Sequence, residues 1–209
     1  MSPGMSDARP PEAAGYPQRL RAILAGRSRR VCEDPALRCA AVLVPLLLKN
    51  DEWHVLVTQR TNEVPHHKGQ ISFPGGACDK EDADILATAL RETYEEIGVP
   101  PLAVDVLGLL DDMFTSSHFV ITPVVGVIPY PYPCRLNPVE VEATVEVPLS
   151  FLRDPAHLRT EQVEFEGSPM ELLFWDYGAY TIWGATARIL KGFLELDWDG
   201  RAQGPVVVV

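Results

Sequence analysis

Three glutamates at helical spacing, Glu92, Glu95 and Glu96, are the residues of this sequence best suited to carry chemistry. Positions three and four apart are neighbours on a helix, so these carboxylates fall on one face, and each like-charged pair costs the helix roughly 0.2–0.5 kcal/mol. A hard divalent cation that takes oxygen ligands offsets this cost. The alternative is a solvated acidic face, which is the usual meaning of a glutamate-rich helix.

A glycine turn precedes the helix that must position these carboxylates. The turn is Pro74-Gly75-Gly76, and a carbonyl of Gly75 or Gly76 can come close to the same ion because glycine lets the backbone approach a ligand. Asp82 is the predicted N-cap of the helix, and Gly98 followed by two prolines is the predicted stop. Apolar residues between these limits recur at helical spacing and predict a buried stripe.

The remaining elements predict a mixed α/β sandwich. Cys39–Leu48 is nearly all apolar, as in a strand buried on both faces, and a turn at Lys49–Glu52 leads to a second strand over Trp53–Arg60. We expect this hairpin to lie in a central sheet. Further strands are predicted at 103–112, 118–128 and 140–147, a second hairpin at 159–175, and a helix from about Trp183.

Length and composition predict one folded domain. The chain has 209 residues, of which 46% are hydrophobic, so it can bury a sizeable core. Residues 1–17 are expected to form a flexible N-terminal segment, 18–200 the single domain and 201–209 a tail.

The charge and the cysteines bear on partners and compartment. A net charge of −11 argues against nucleic acid or an anionic membrane as a partner, and we expect Arg27, Arg29 and Arg30 to form a solvated helix end. No apolar run reaches the roughly 20 residues of a membrane span, and we see no leader, so a cytoplasmic protein is expected. The four cysteines, without a C-x-x-C pair, are expected to be reduced thiols. The sequence leaves the oligomeric state open.

The glycine turn and the acidic helix together resemble the Nudix box. The matching positions are Gly76, Arg91-Glu92-Thr93, Glu95-Glu96 and Gly98-Val99, with one residue more than usual between Gly76 and Arg91 and with Asp82 where the box has glutamate. The resemblance implies a Nudix-type α/β/α sandwich with a central mixed sheet. It also implies Mg²⁺- or Mn²⁺-dependent hydrolysis of a nucleoside diphosphate linked to another group.

The resemblance also assigns roles to residues. Glu92, Glu95, Glu96 and the Gly75 carbonyl would hold the metal ion. Either Glu92 or Glu96 would accept the proton of the attacking water, and Arg91 would hold a glutamate in place.

The segment upstream of the box resembles the signature of the coenzyme A pyrophosphatase branch. The matches in Leu56–Gly76 include Arg60, His67, Gly69 and Phe73, while Pro65 stands where many members have arginine. Lys68 can supply a charge in its place. The expected substrate-binding residues are therefore Arg60, His67, Lys68, Gly69 and Phe73.

A fourth carboxylate is expected from a later segment. Asn137-Pro138-Val139-Glu140-Val141 matches an N-P-x-E-V run of the same branch, which makes Glu140 a further metal ligand, with Glu142 in reserve.

The expected reaction is hydrolysis of coenzyme A and its derivatives to 3′,5′-ADP and (acyl-)4′-phosphopantetheine. Two alternatives remain at this point. One is a Nudix hydrolase of other small-molecule nucleotides, such as ADP-ribose, NADH or nucleoside triphosphates. The other is a Nudix-fold module that senses a nucleotide without cleaving it.

Overall fold

The structure is a computed structural model that describes residues 11–61, 69–115, 117–132, 134–165 and 168–199, with side chains described except at 11–14, 165, 168 and 197–199. The helices of this part are α1 (Pro11–Gly26), α2 (Ile85–Ile97), α3 (Leu149–Arg153) and α4 (Gly184–Asp199). The strands are β1 (Arg38–Lys49), β2 (Glu52–Arg60), β3 (Ile71–Ser72), β4 (Gly75–Ala77), β5 (Asp105–Leu109), β6 (Met113–Phe114), β7 (Phe119–Val127), β8 (Val141–Pro148), β9 (Leu158–Phe165), β10 (Ser168–Tyr177) and β11 (Tyr180–Trp183).

Strand β1 is the centre of an eight-stranded mixed sheet. It pairs in parallel with β7 and antiparallel with β2, which confirms the predicted hairpin. Asn50 and Asp51 form its turn with φ values of 50° and 61°. A two-residue turn of this kind needs positive φ at both positions, and asparagine and aspartate tolerate it better than most residues.

Strands β1 and β2 separate beyond the hairpin, and the glycine turn fills the gap between them. Near the turn, Leu46 of β1 pairs with Val55 of β2. Further along, β1 pairs instead with β4 and β2 pairs instead with β3. Because β7 occupies the other edge of β1 and β8 the other edge of β2, the segment 71–77 is wedged into the middle of the sheet.

Two cores cover the two faces of this sheet, because successive side chains of a strand point to opposite faces. Leu46 lies in the core covered by α1, α3 and α4, whereas Leu47 lies in the core covered by α2. The predicted α/β/α sandwich with a central mixed sheet is confirmed.

The second predicted hairpin and the C-terminal helix also form. Strands β9, β10 and β11 make a separate antiparallel sheet. The buried side chains of Trp175 and Ile182 lie on one face of this sheet and pack in the same core as residues of α4. At the start of α4, the Thr186 hydroxyl donates to the Ile71 carbonyl at 3.0 Å, which ties this helix to β3.

Three expectations are corrected by the fold. Helix α1 begins at Pro11, within the segment expected to be flexible, because Tyr16 buries its ring in the core beside Leu20. Arg27, Arg29 and Arg30 are not a solvated helix end: they pair with the carboxylates of Asp111 and Asp112.

The third correction concerns the thiols. Cys39 and Cys78 form a disulfide, while Cys32 and Cys134 are free.

Within the described part of the chain, none of the helices combines the length and apolar character needed to span a bilayer.

Candidate metal and catalytic site

Helix α2 presents the acidic residues, and its two ends are fixed by local chemistry. Its N-cap is Asp84, whose side chain accepts a hydrogen bond from the Ala87 N–H at 2.8 Å. The expectation of Asp82 as N-cap was therefore wrong by two residues. Gly98 ends the helix in the left-handed region, at φ 76°, where a side chain is disfavoured.

Asp82 instead binds the guanidinium of Arg91. Its two carboxylate oxygens accept hydrogen bonds from Arg91 Nε at 2.8 Å and Nη2 at 3.0 Å. It also accepts from the hydroxyl of Thr88 and the backbone N–H of Asp79. The hydrogen bonds from Arg91 hold the pKa of Asp82 well below its usual range. Arg91 is thus fixed in direction by a bidentate contact.

The other edge of the Arg91 guanidinium faces the acidic cluster. Its Nη1 donates to Glu92 at 2.9 Å and to Glu95 at 3.1 Å, and its Nη2 donates to the carbonyl of Ala77 at 3.2 Å. One cation therefore joins helix α2 to strand β4 and orients two of the three glutamates.

Glu96 is the buried member of the cluster. Its side chain is 3% exposed, and its buried Oε2 has no hydrogen-bond partner in the described part of the chain. Burial raises the pKa of Glu96 to about 8, and the charges of Glu140 and Glu92 add to the rise, while Arg60 and the Gly75 N–H oppose it. Within the described residues, Arg60 and the Gly75 N–H only partly offset the burial of ionised Glu96, and a bound cation would add the compensation.

Gly76 of the turn makes room for the carboxylate of Glu92. A Cβ on Gly76 would stand 2.5 Å from the carboxyl carbon of Glu92, so only glycine admits that carboxylate against the turn. Burial raises the pKa of Glu92 as well, although Arg91 opposes the rise. The backbone N–H of Gly75 opposes the rise in the pKa of Glu96.

Glu140 is brought to the cluster by its own segment. The Asn137 N–H donates to the carbonyl of Glu96 at 2.9 Å, and the Thr61 N–H donates to the carbonyl of Glu140 at 2.9 Å. The segment is therefore fastened to the end of α2 and the end of β2 at once. The charge of Glu140 raises the pKa of both Glu92 and Glu96, whereas Glu142 is exposed on β8.

Four of the five expected substrate-binding residues fall into three groups. Arg60 lies at the site, with its Nη1 3.8 Å from Glu96 Oε1, and its buried Nε has no hydrogen-bond partner among the residues that the structure describes. Gly69 has φ 67° at the end of the upstream loop. His67 and Lys68 lie outside the described residues.

Phe73 is a correction. It is 3% exposed and belongs to the core under α1 and α4, because the alternation along 71–73 turns it to the same face as Ile71. A side chain buried there packs in the core and does not reach a ligand.

The donor set fits a hard divalent cation. The residues that converge are carboxylates, beside a glycine turn and a buried carboxylate oxygen with no partner. In the described residues, no group of three or more aspartate, glutamate, histidine or cysteine side chains is already arranged so that it could hold a metal ion. A bound cation would therefore have to draw the carboxylates of the cluster closer together.

Comparisons with known proteins bear on what this arrangement is. A family profile described as the NUDIX domain matches residues 37–149, which is more than half of the chain. An uncharacterized Nudix hydrolase, NudL, of Salmonella paratyphi B is 40% identical over 154 residues, which are 74% of this chain and 80% of that relative. The chain belongs to the Nudix family.

Solved Nudix structures are also similar to this chain. A Nudix hydrolase from Alicyclobacillus acidocaldarius has a TM-score of 0.48 and 20% identity, over 77% of this chain and 92% of that one. A MutT/nudix family protein from Enterococcus faecalis has a TM-score of 0.49 and 16% identity, over 93% of this chain and 75% of that one. Nudix hydrolases act on nucleoside diphosphate derivatives and generally use divalent ions such as Mg²⁺ or Mn²⁺.

Sequence reasoning missed two features of this Nudix site. The grip of Asp82 on Arg91 spans nine positions, from outside the helix to its second turn, so helical periodicity does not reveal it. The Cys39–Cys78 bond closes a separation of 39 residues, and its only signal is that one cysteine lies near the start of β1 while the other follows the glycine turn.

Proposed function

We propose that this Nudix protein hydrolyses the pyrophosphate bond of coenzyme A and its derivatives. The products are 3′,5′-ADP and 4′-phosphopantetheine, or its acylated form. The observation that supports a metal-dependent hydrolase is Glu96, a buried carboxylate with an oxygen that has no hydrogen-bond partner among the described residues, beside Glu92 and Glu140. The observation that favours this substrate is the upstream signature that ends in the glycine turn.

The proposed ligands of Mg²⁺ or Mn²⁺ are Glu92, Glu95, Glu96, Glu140 and the Gly75 carbonyl. A bound divalent ion lowers the pKa of a coordinated water and neutralises phosphate oxygens. Arg91 orients Glu92 and Glu95 through hydrogen bonds that leave their other oxygens available. Asp82 keeps Arg91 in that direction.

Two groups of the chain act on the substrate in this proposal. The Arg60 side chain is partly exposed, and its Nη1 lies 3.8 Å from Glu96 Oε1, so the guanidinium can donate to a phosphate oxygen placed over the cluster. Glu92 or Glu96 accepts the proton of the attacking water, and both carboxylates stand against the glycine turn where the phosphates would approach.

Positive charge near the site would offset the repulsion between the acidic chain and an anionic substrate. A net charge of −11 repels an anionic substrate from most of the surface. Arg60, Arg91 and the bound cation would reverse the field at the cluster. His67 and Lys68 are proposed to extend that positive region toward the 3′-phosphate of coenzyme A.

Product analysis tests this function. The purified protein is incubated separately with coenzyme A, ADP-ribose and NADH, with Mg²⁺ or Mn²⁺ and with EDTA. Release of 3′,5′-ADP from coenzyme A that needs the metal is the expected result. Cleavage of ADP-ribose or NADH with coenzyme A left intact would overturn the substrate and keep the hydrolase, and cleavage of none would favour the sensing module.

A further inference from the structure

The Cys39–Cys78 disulfide lies at the end of the short strand that carries the glycine turn. Cys39 is the second residue of β1, and Cys78 directly follows β4. The ladder between these strands has three residue pairs, from Ala40↔Ala77 to Val42↔Gly75. The disulfide, with the Cys78 N–H donating to the Cys39 carbonyl at 3.0 Å, extends that ladder by one covalent pair.

Strand β4 has few side chains that could fix it in place. Two of its three residues are glycines, which lose more conformational freedom on ordering than any other residue and have no side chain to pack. A covalent tie at the end of such a strand restricts the positions that it can take. The tie matters most if the strand must hold other groups in place.

The residues on either side of Cys78 do hold other groups. The Ala77 carbonyl accepts from Arg91 at 3.2 Å, and the Asp79 N–H donates to Asp82 at 2.9 Å. Asp82 and Arg91 form the bidentate pair that directs Glu92 and Glu95. On the other side of Ala77, Gly76 makes room for the Glu92 carboxylate.

We infer that the Cys39–Cys78 disulfide is a positioning element of the metal site, and that its reduction weakens metal binding. Reduction frees β4 to shift, and a shift displaces the Ala77 carbonyl from Arg91 and the turn from Glu92. Groups that orient metal ligands typically change metal affinity by about 10–100-fold when lost, and we expect roughly tenfold here because Asp82 still holds Arg91.

The bond is accessible to thiol chemistry. Cys39 is exposed and Cys78 half-buried, so a small thiol can reach the bond from solution. A dithiol reductant transfers two electrons and two protons to the S–S bond, gives two cysteine thiols and closes to its own cyclic disulfide. A low-molecular-weight disulfide such as oxidised glutathione reverses the change and leaves as two thiols.

The test is a Mn²⁺ titration of the full chain in both redox states, followed by the electron paramagnetic resonance signal of free Mn²⁺. Oxidised wild-type protein should bind roughly tenfold more tightly than protein reduced with dithiothreitol, and reoxidation should restore the affinity. The double variant Cys39→Ser/Cys78→Ser should match the reduced wild type in either state. Cys32→Ser and Cys134→Ser, which change the two free thiols, should respond to redox state as the wild type does.

Thermal melting and thiol counting complete the design. A lower melting temperature on reduction with unchanged Mn²⁺ affinity would overturn the inference, because the bond would then only brace the fold. Four reactive thiols in the denatured, unreduced protein would overturn it too. The inference rests on the proposed metal site but not on the substrate: a redox-dependent Mn²⁺ affinity with coenzyme A left intact supports it and contradicts only the proposed substrate.

Discussion

Replacing Glu96 with glutamine in the metal-free protein should remove a pH-dependent loss of stability. Burial raises the pKa of Glu96 in the folded protein to about 8, from an ordinary value of 4.5. A raised pKa means that folding favours the protonated form. The resulting stabilisation is complete below pH 4.5 and is lost as the pH rises through about 8.

The size of this effect follows from the two pKa values. Between about pH 5.5 and pH 8, linkage gives a loss of roughly 2–3 kcal/mol in the free energy of unfolding from Glu96 alone. Glutamine keeps the shape without the charge, so the variant should lose correspondingly less over the same interval. Glu92 contributes in the same direction in both proteins, because its pKa is also raised by burial.

Urea unfolding in EDTA at the two pH values measures this difference. Glu142→Gln, at an exposed glutamate of β8, is the matched control and should follow the wild type. Addition of Mg²⁺ should restore wild-type stability at pH 8 and have little effect on Glu96→Gln. Equal slopes of stability against pH in wild type and Glu96→Gln would refute the reasoning.

Three further perturbations follow from the same contacts. Gly76→Ala places a Cβ 2.5 Å from the Glu92 carboxyl carbon and should weaken Mn²⁺ binding at least tenfold, which is about the effect of losing an orienting group. Gly192→Ala, where the added Cβ meets open space, should bind Mn²⁺ as the wild type does, and equal Mn²⁺ affinities in the two variants would contradict the role of Gly76 in making room for Glu92. Asp82→Asn removes the charge of the bidentate grip on Arg91 and should lower kcat by roughly tenfold with little change in KM for the nucleotide; unchanged kcat would show that Arg91 needs no such partner. Arg60→Lys should raise KM for coenzyme A severalfold, since lysine cannot reproduce the planar guanidinium, and an unchanged KM in steady-state assays would remove Arg60 from substrate binding.

The sequence predicted most of the central sheet, because its signals are local. The apolar run of β1 alternates between two cores, and the turn residues between β1 and β2 are of the kind that positive φ requires. The stripe on α2 and the stop at Gly98 are equally local. Helix α1 was expected later in the chain because its early part is rich in proline and small residues, and burial of Tyr16 is a tertiary contact.

The failures within the site are tertiary in the same way. Asp82 and Asp84 are both acceptable N-caps by residue type. Asp84 is the N-cap in the structure, whereas the side chain of Asp82 is hydrogen-bonded to Arg91. Phe73 matched a signature, but pleating turns it into the core. The pairing of Cys39 with Cys78 depends on β4 being wedged beside β1, which no spacing in the sequence expresses.

The proposal that Glu92, Glu96 and Glu140 are ligands of a divalent cation is tested most directly by Mn²⁺ titration of single glutamine variants. Wild-type protein should bind Mn²⁺ saturably. Glu92→Gln, Glu96→Gln and Glu140→Gln should each bind at least tenfold more weakly, an effect of the size expected for losing a ligand or its orienting group. Glu142→Gln, at the neighbouring exposed glutamate, should bind as the wild type does. Equal affinity in the wild type and all four variants would contradict the claim.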